Sequence, residues 1–326
     1  MSIPDRAAEL RSAIETADIP VTWQTPDDLS RRSMEAMAST VDGRQLPSRG
    51  FLHLTGWGVR GSSALMEDVA QLMTGFQRLV AAWGASLDGF TNLRGKLPVT
   101  MTAKTKLRLV AGVAPGSVVL NIAPDMSPID ELEPGGQPAL DQPTSQRLDE
   151  VLEQVTDLVS QASTLGPDPT NTEMIRTIQE LGPRTASSLR AVTEGLARGG
   201  FDMDVEWAEP NKPTYRGSIT ARDAEQVARI ITGRELDHGK ATLVGQLHTS
   251  SDSTAPWHIE VLGKHYKVKR GRVSPQAIRD AHAAPGDTVR ISAQVSLRDG
   301  PSGEKLDYRA TSIEVVDAST PHSVTE

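Results

Sequence analysis

Apolar and polar side chains alternate most regularly in the last third of the chain, residues 239–317. Between residues 240 and 248, one side of an extended chain carries Ala241, Leu243, Gly245 and Leu247, and the other carries Lys240, Thr242, Gln246 and His248. Residues 288–298 repeat the pattern, and the apolar positions there are Val289, Ile291, Ala293, Val295 and Leu297. Period-two alternation is typical of a strand buried on one face. We therefore predict antiparallel strands over both stretches.

The residues around these strands complete an ordered set of elements. Residues 257–262 and 265–270 are predicted to be strands joined by a tight turn at Gly263-Lys264, and Ser274-Pro275 begins a short helix. A turn at residues 299–303 separates the last two strands, the second of which changes phase between Tyr308 and Ile313, as a bulge would require. Three strands, one helix and two strands follow the element order of an OB-fold.

We therefore predict an OB-like five-stranded β-barrel over residues 236–317. An OB-fold binds its ligands on the outer face of its second and third strands and through neighbouring loops. The side chains expected to be buried together in this barrel are Leu243, Ile259, Val268, Ile291 and Val295.

The fold class predicted for the whole chain is α+β. A mixed α/β N-terminal domain is expected over residues 1–125, and a helical and small α+β middle unit over residues 144–235. The individual predictions are helices at 4–17, 26–39, 62–85, 145–165, 171–181, 184–198 and 221–231, and strands at 51–55, 97–123, 201–208 and 215–220. Residues 126–143 are rich in proline, glycine and acid and are expected to be a flexible linker or loop, and residues 318–326 a disordered tail.

Composition and charge limit the classes of function. Cysteine is absent, which excludes disulfides, thiolate zinc sites and cysteine nucleophiles. Residues 236–317 carry 11 basic and 10 acidic side chains, so the rest of the chain holds 23 basic and 32 acidic ones, a formal balance of −9. That acidic region should repel phosphate backbones, whereas the barrel is electrostatically neutral enough to approach them. No apolar run is long enough to span a bilayer, and we expect a cytoplasmic protein without a membrane partner.

The order of elements over residues 51–317 resembles a type of bacterial multi-unit protein. The resemblance is carried by the helix sequence at residues 61–80, by the apolar hairpin at residues 106–122 with Pro115-Gly116-Ser117 at its turn, and by the small terminal barrel. It implies this arrangement of units, and it implies no activity and no role for any residue.

Gly56, Gly58 and Gly61 form a literal G-x-G-x-x-G motif between a predicted strand and a predicted helix. In that position glycines can bring the backbone close to a pyrophosphate at a helix N-terminus. The bulky Trp57 within the turn and the antiparallel hairpin that follows the helix both argue against a dinucleotide site. A glycine-rich turn is the competing interpretation, so the three glycines are only weak candidates for nucleotide binding.

The predicted third barrel strand is strongly basic. His265, Lys267 and Lys269 share one face of it, and Arg270 and Arg272 follow at its end. These five residues are the candidates for binding nucleic acid or another partner. Tyr266 is expected to point inward, which leaves the face without an aromatic stacking platform. A solvated charged face is the alternative interpretation.

The seven histidines show no metal-binding spacing, and His258 and His265 are expected on opposite faces of their hairpin. We therefore predict no metal site, no catalytic residue and no cofactor. The leading hypothesis is a non-catalytic intracellular adaptor or assembly protein whose partner is another protein. One alternative is a nucleic-acid-binding accessory protein acting through the barrel. A second is a nucleotide-dependent enzyme with a pocket at residues 56–61.

Overall fold

The computed structural model describes residues 47–110, 117–126, 146–165, 172–210, 212–249, 256–300 and 303–325, together with the single residue 33. The helices expected at 4–17 and 26–39, the Pro115-Gly116 turn and most of the linker at 126–143 lie outside these residues. The described chain forms an α+β body and a closed C-terminal barrel, as the sequence predicted.

The body precedes residue 236. Its strands are β1 (Arg49–Thr55), β2 (Leu107–Val110), β3 (Val118–Pro124), β4 (Asp202–Ala208) and β5 (Tyr215–Ile219). Its helices are α1 (Met66–Leu87), α2 (Val99–Lys104), α3 (Arg147–Ser163), α4 (Glu173–Gly199) and α5 (Ala221–Gly233). The barrel contains β6 (His238–Thr249), β7 (Trp257–Val261), β8 (Lys264–Lys269), α6 (Pro275–Asp280), β9 (Thr288–Gly300), β10 (Gly303–Val315) and β11 (Ser323–Thr325).

One antiparallel sheet, in the order β2-β3-β1-β4-β5, organises the body. Central strand β1 pairs with β3 on one side and β4 on the other, so Leu52 lies opposite both Leu120 and Val205. Leu52 and Val205 belong to one hydrophobic core, which also contains Trp83 of α1. The described parts of segments 1–125 and 144–235, which the sequence divided into two units, share this sheet and this core, because β4 pairs with β1.

Helices α1 and α4 form where the sequence predicted helical periodicity. The buried residues of α1 recur at helical spacing and include Leu72, Phe76, Leu79, Val80 and Trp83. The break predicted near residue 182 is present within α4, where Gly182 has φ +83° and Pro183 follows it. Proline cannot supply the backbone hydrogen bond of a continuous helix, and glycine tolerates the left-handed backbone that precedes it.

Residues 99–104 depart from the paired strands expected over 97–123 and form α2 instead. The Gln77 side chain fixes the change from helix to strand: its amide nitrogen donates to the Thr105 carbonyl at 3.0 Å, and its oxygen accepts from Leu107 N–H at 2.9 Å. This contact joins residues about 30 positions apart, and β-propensity at Val99 and Thr100 could not reveal it.

The barrel closes in the order β6-β7-β8-β10-β9-β6, with β8 and β10 parallel. With β6 counted as the first strand, this is the 1-2-3-5-4 order of an OB-fold. The five predicted core residues are each at most 1 % exposed and share one hydrophobic cluster. The predicted bulge lies between Ala310 and Ser312. The β7–β8 turn is centred on Leu262-Gly263, one residue before the predicted Gly263-Lys264; both central residues have positive φ, as in a type I′ turn.

The chain after residue 317 is more ordered than the sequence suggested. Ser323 to Thr325 form β11, which pairs antiparallel with β6, so that Val324 lies opposite Leu243. Val324 also packs against the barrel core. The expected tail at 318–326 thus supplies an edge strand to the barrel sheet.

The body and the barrel meet at the loop between α1 and α2. Arg184 of α4 donates to the carbonyls of Asn92, Leu93 and Gly95, at 2.7 to 2.8 Å. The Leu93 side chain is 3 % exposed and belongs to the barrel's hydrophobic core. The body therefore contributes a side chain to the interior of the barrel. No helix among the described residues combines the length and the apolarity needed to cross a membrane.

Candidate functional site

The basic side chains of β8 lie on the outer surface of the barrel. His265, Lys267 and Lys269 are exposed, whereas Val268 points into the core. Cross-strand pairing with β7 sets Lys267 opposite His258 and His265 opposite Glu260. Since β7 and β8 are the second and third strands of the barrel, these side chains occupy the surface on which OB-folds bind ligands. We call this surface the β7–β8 face.

Part of the basic charge is neutralised within the fold. Lys269 Nζ lies 2.8 Å from a carboxylate oxygen of Asp307, and Arg272 forms an ion pair with Glu235. Arg270 is half-buried at the end of β8. In the described part of the chain, Lys264 and Lys267 take part in no ion pair. Lys264 pairs with the buried Val261 at the end of the hairpin and so does not belong to the outward face. The positive charge of this face that is available to an external anion therefore concentrates at Lys267, beside His258 and His265.

Tyr266 contributes to the junction with the body. Its ring packs edge-on against Tyr308 with centroids 5.7 Å apart, and its hydroxyl accepts a 2.8 Å hydrogen bond from Arg94. The Arg94 guanidinium also lies 5.7 Å from the centroid of that ring. Tyr266 is thus half-buried and engaged on both sides, so the stacking surfaces available on the β7–β8 face are imidazole rings.

His248 of β6 reaches this surface by ordinary strand alternation, and a bulge beside it adds Thr249. Leu247 pairs with Ile259 and Thr249 with His258, which leaves His248 as the extra residue between them. His248 and Thr249 consequently both face outward, and the Thr249 hydroxyl lies 3.1 Å from His258 Nδ1. Bulges commonly redirect a side chain in this way.

His248, Glu260 and His265 form a cluster that the sequence analysis missed. His248 Nε2 lies 2.8 Å from Glu260 Oε2, and the His248 and His265 rings are 5.4 Å apart. The expectation that His258 and His265 lie on opposite faces was wrong, because directly paired residues of adjacent strands share a face and both histidines pair with outward residues. The bulge, which interrupts the alternation at residues 247–249, had no sequence signal of its own.

The candidate glycine motif packs against the end of α4. Gly58 N–H donates to the Gly200 carbonyl at 3.1 Å, and a Cβ at Gly58 would overlap the Gly199 carbonyl oxygen. The Trp57 ring lies against Gly200. Carbonyl groups at a helix C-terminus carry the negative end of the helix dipole, which disfavours a phosphate. Packing accounts for Gly58, and Gly61 has open space around its Cα.

Asp149, a carboxyl group with a shifted pKa, is buried inside the body, away from the β7–β8 face. Asp149 accepts hydrogen bonds from Gln146 N–H and from Trp207 Nε1, each at 2.9 Å. Burial raises the pKa of Asp149, against the opposing effect of hydrogen bonds from Ser48, Gln146 and Trp207. Ser48 precedes β1, Gln146 precedes α3 and Trp207 lies in β4. The carboxylate therefore connects three segments of the body.

No protein-family model matches this chain, and no curated protein matches it. Among solved structures, the chain is similar to the mitochondrial single-stranded DNA binding protein Rim1 of S. cerevisiae, at 16 % sequence identity and a TM-score of 0.21. That match covers 25 % of this chain and 96 % of the yeast protein.

Proposed function

We propose that this protein is a non-catalytic nucleic-acid-binding accessory protein that binds single strands through the β7–β8 face. The observation that carries the proposal is the closed OB order of the barrel with exposed histidines and lysines on its second and third strands. In that fold this surface binds oligonucleotides. The experiment that tests it is a salt-dependent binding titration with single-stranded oligonucleotides.

The chemistry of the face supports a single strand over a duplex. Lys267 provides a point charge for a phosphate, and His258 and His265 offer planar rings against which unstacked bases can pack. Among the residues that the structure describes, β7 and β8 carry no helix that would enter a major groove. Contacts of this kind recognise backbone and base faces, so the binding should depend only weakly on sequence.

The affinity should be modest and sensitive to salt. Each phosphate neutralised on a single strand contributes about −0.7 to the slope of log K against log salt concentration. Neutralisation of two phosphates by Lys267 and Lys269 would give a slope of roughly −1.4. The acidic body adds a repulsive field, because the excess of acidic over basic side chains lies outside the barrel.

The test measures fluorescence anisotropy of labelled single-stranded DNA and RNA with the full chain at several salt concentrations. Lys267→Glu with Lys269→Glu, which reverses both lysines of the outward series of β8, should abolish binding and its salt dependence. The matched control is Arg222→Glu with Arg229→Glu, which makes the same charge change at exposed positions of α5. Equal loss in both double variants would indicate a general field effect, and binding unchanged in the barrel variant would refute the proposed face.

An adaptor function, the leading hypothesis from sequence, has support from a different surface. The connection between β1 and α1 exposes large apolar side chains: Trp57 is 75 %, Leu65 70 % and Met66 85 % exposed. Exposed aromatic and methionine side chains are enriched in protein interfaces. A protein partner would therefore be expected to contact this connection rather than the β7–β8 face.

Two surface variants separate the two candidate functions. Trp57→Ser with Met66→Ser should leave oligonucleotide binding intact and should remove a protein partner recovered from the native host, if the adaptor hypothesis holds. Recovery of the same proteins by both the wild-type chain and this variant would contradict it.

The alternative of a nucleotide-dependent enzyme requires that a nucleotide raise the thermal stability of the chain. The packing of Gly58 gives no support for that outcome.

A further inference from the structure

Three side chains from three adjacent strands converge on the outer surface of the barrel. They are His248 of β6, Glu260 of β7 and His265 of β8. One potential ligand atom from each lies within 4.8 Å of the others. Two imidazoles and one carboxylate are a donor set that zinc and related divalent ions use when a coordination position stays open.

We propose that His248, Glu260 and His265 form a binding site for a divalent transition-metal ion, with Zn²⁺ as the best-fitting ion. Tetrahedral zinc with ligands at about 2.1 Å places ligand atoms about 3.4 Å apart. The 2.8 Å between His248 Nε2 and Glu260 Oε2 is close to that separation, and small side-chain rotations would bring His265 to it.

The backbone positions these ligands without help from any loop. Glu260 and His265 are directly paired across the tight β7–β8 hairpin. Gln246 pairs with Glu260 from the other side, and His248 follows two residues later, beside the same carboxylate. A regular strand would expose Gln246 and His248 but turn Thr249 inward. The bulge adds Thr249 to the outer surface and leaves His248 facing outward, in the alternation that begins at Gln246.

The chemistry also defines what the site should reject. Imidazole nitrogens favour zinc, copper, nickel and iron, whereas Mg²⁺ and Ca²⁺ require mostly oxygen ligands. Because the three ligands occupy one side of the ion, the opposite side is open to water or to an anionic ligand. The proposed metal site is independent of the proposed nucleic-acid binding, because the test measures ion binding with no nucleic acid present.

The test is isothermal titration calorimetry of the untagged, chelator-treated full chain with ZnCl₂, and separately with MgCl₂. We expect saturable zinc binding with one high-affinity ion per chain and no heat attributable to magnesium. His248→Ala, His265→Ala and Glu260→Gln should each weaken zinc binding by more than about tenfold. His258→Ala is the matched control, since it removes a histidine from the same face but outside the cluster, and it should retain the affinity.

Cobalt provides a second measurement that is independent of heat. Co²⁺ added in place of Zn²⁺ should give the visible absorption bands of a four- or five-coordinate cobalt ion in the wild type and in His258→Ala. These bands should be absent in the three ligand variants. Circular dichroism should confirm that all variants fold, because the substituted side chains lie at the surface. Absence of saturable zinc binding, or binding unchanged in His248→Ala and His265→Ala, would overturn the proposal.

Discussion

The barrel and the body sheet are built from strands that find their partners at very different distances along the chain. Strands β7 and β8 are joined by two residues, and the whole closed barrel lies within residues 238–315. In the body, β1 pairs with β4 so that His53 meets a residue 151 positions later, Asp204. The barrel pattern can therefore be found locally, whereas the body sheet depends on a pairing that no local pattern contains.

The first way to challenge this comparison is to disrupt the barrel interior. Val295→Asp buries an unpaired carboxylate at a position that is 1 % exposed, and it should lower the free energy of unfolding by about 4 kcal/mol. Chemical denaturation followed by circular dichroism measures the loss. Lys240→Asp, at an exposed position of β6, should cost less than about 1 kcal/mol. Similar losses in both variants would contradict the assigned strand faces.

A second variant asks how independent the two regions are. Leu93→Ala lies in the body's sequence but removes a side chain from the barrel core, and it should cost about 3 kcal/mol. Hydrogen exchange should locate the loss of protection in β6 and β9 as well as in the loop at 89–98. Protection lost only in that loop would mean that the barrel core is complete without the body.

A third variant tests the packing of the body's glycine turn. Gly58→Ala would place a methyl group against the Gly199 carbonyl, and we expect a loss of about 2 kcal/mol. Gly61→Ala, in open space but at φ +62°, should cost about 1 kcal/mol from backbone strain alone. Thermal unfolding measures both; a larger loss at Gly61 would argue for a constraint on the motif other than packing.

The smallest expected effect concerns pH and the buried carboxyl group of the body. Burial raises the pKa of Asp149 above its ordinary 3.8, so the native state retains this proton after the unfolded state has lost it. This group's contribution to stability is therefore greatest below pH 3.8 and falls as the pH rises through the raised value. Asp149→Asn cannot titrate.

Denaturation of the wild type and of Asp149→Asn across this pH range isolates the contribution. The stability advantage of the wild type over the variant should shrink as the pH rises. The variant should also lose about 1 kcal/mol at every pH, because an amide cannot accept both of the hydrogen bonds that Gln146 and Trp207 donate. An advantage that grows with pH would mean that hydrogen bonding outweighs burial at Asp149.

The elements that could be predicted from sequence are those that carry their own periodicity. Val289 to Leu297 alternate and form β9, and the spacing of Leu72, Phe76 and Trp83 produced α1. The joint sheet of the body could not be predicted, because Leu52 and Val205 carry no mutual signal in one sequence. Helix α2 was missed for a similar reason, since a side chain of α1 fixes its end.

The candidate site also has a part that the sequence could predict and a part that it could not. His265, Lys267 and Lys269 were placed on one outward face because they alternate along a single strand. Arg272 and Lys269 lose their availability through Glu235 and Asp307, which come from other parts of the chain. The cluster of His248, Glu260 and His265 depends on the register of three strands, which one sequence does not reveal, and its members show no metal-binding spacing.

Arg184 and the loop that it holds have a consequence for how the molecule could be divided. A fragment that begins at residue 236 would keep every barrel strand and lose Leu93, which would leave a hole in its interior. It would also lose the Arg94 guanidinium that covers Tyr266, so an aromatic surface would open next to the β7–β8 face. An isolated barrel would therefore be less stable than the same barrel in the intact chain. Its exposed tyrosine would also raise its affinity for nucleic-acid bases, so an affinity measured on the fragment would exceed that of the intact protein.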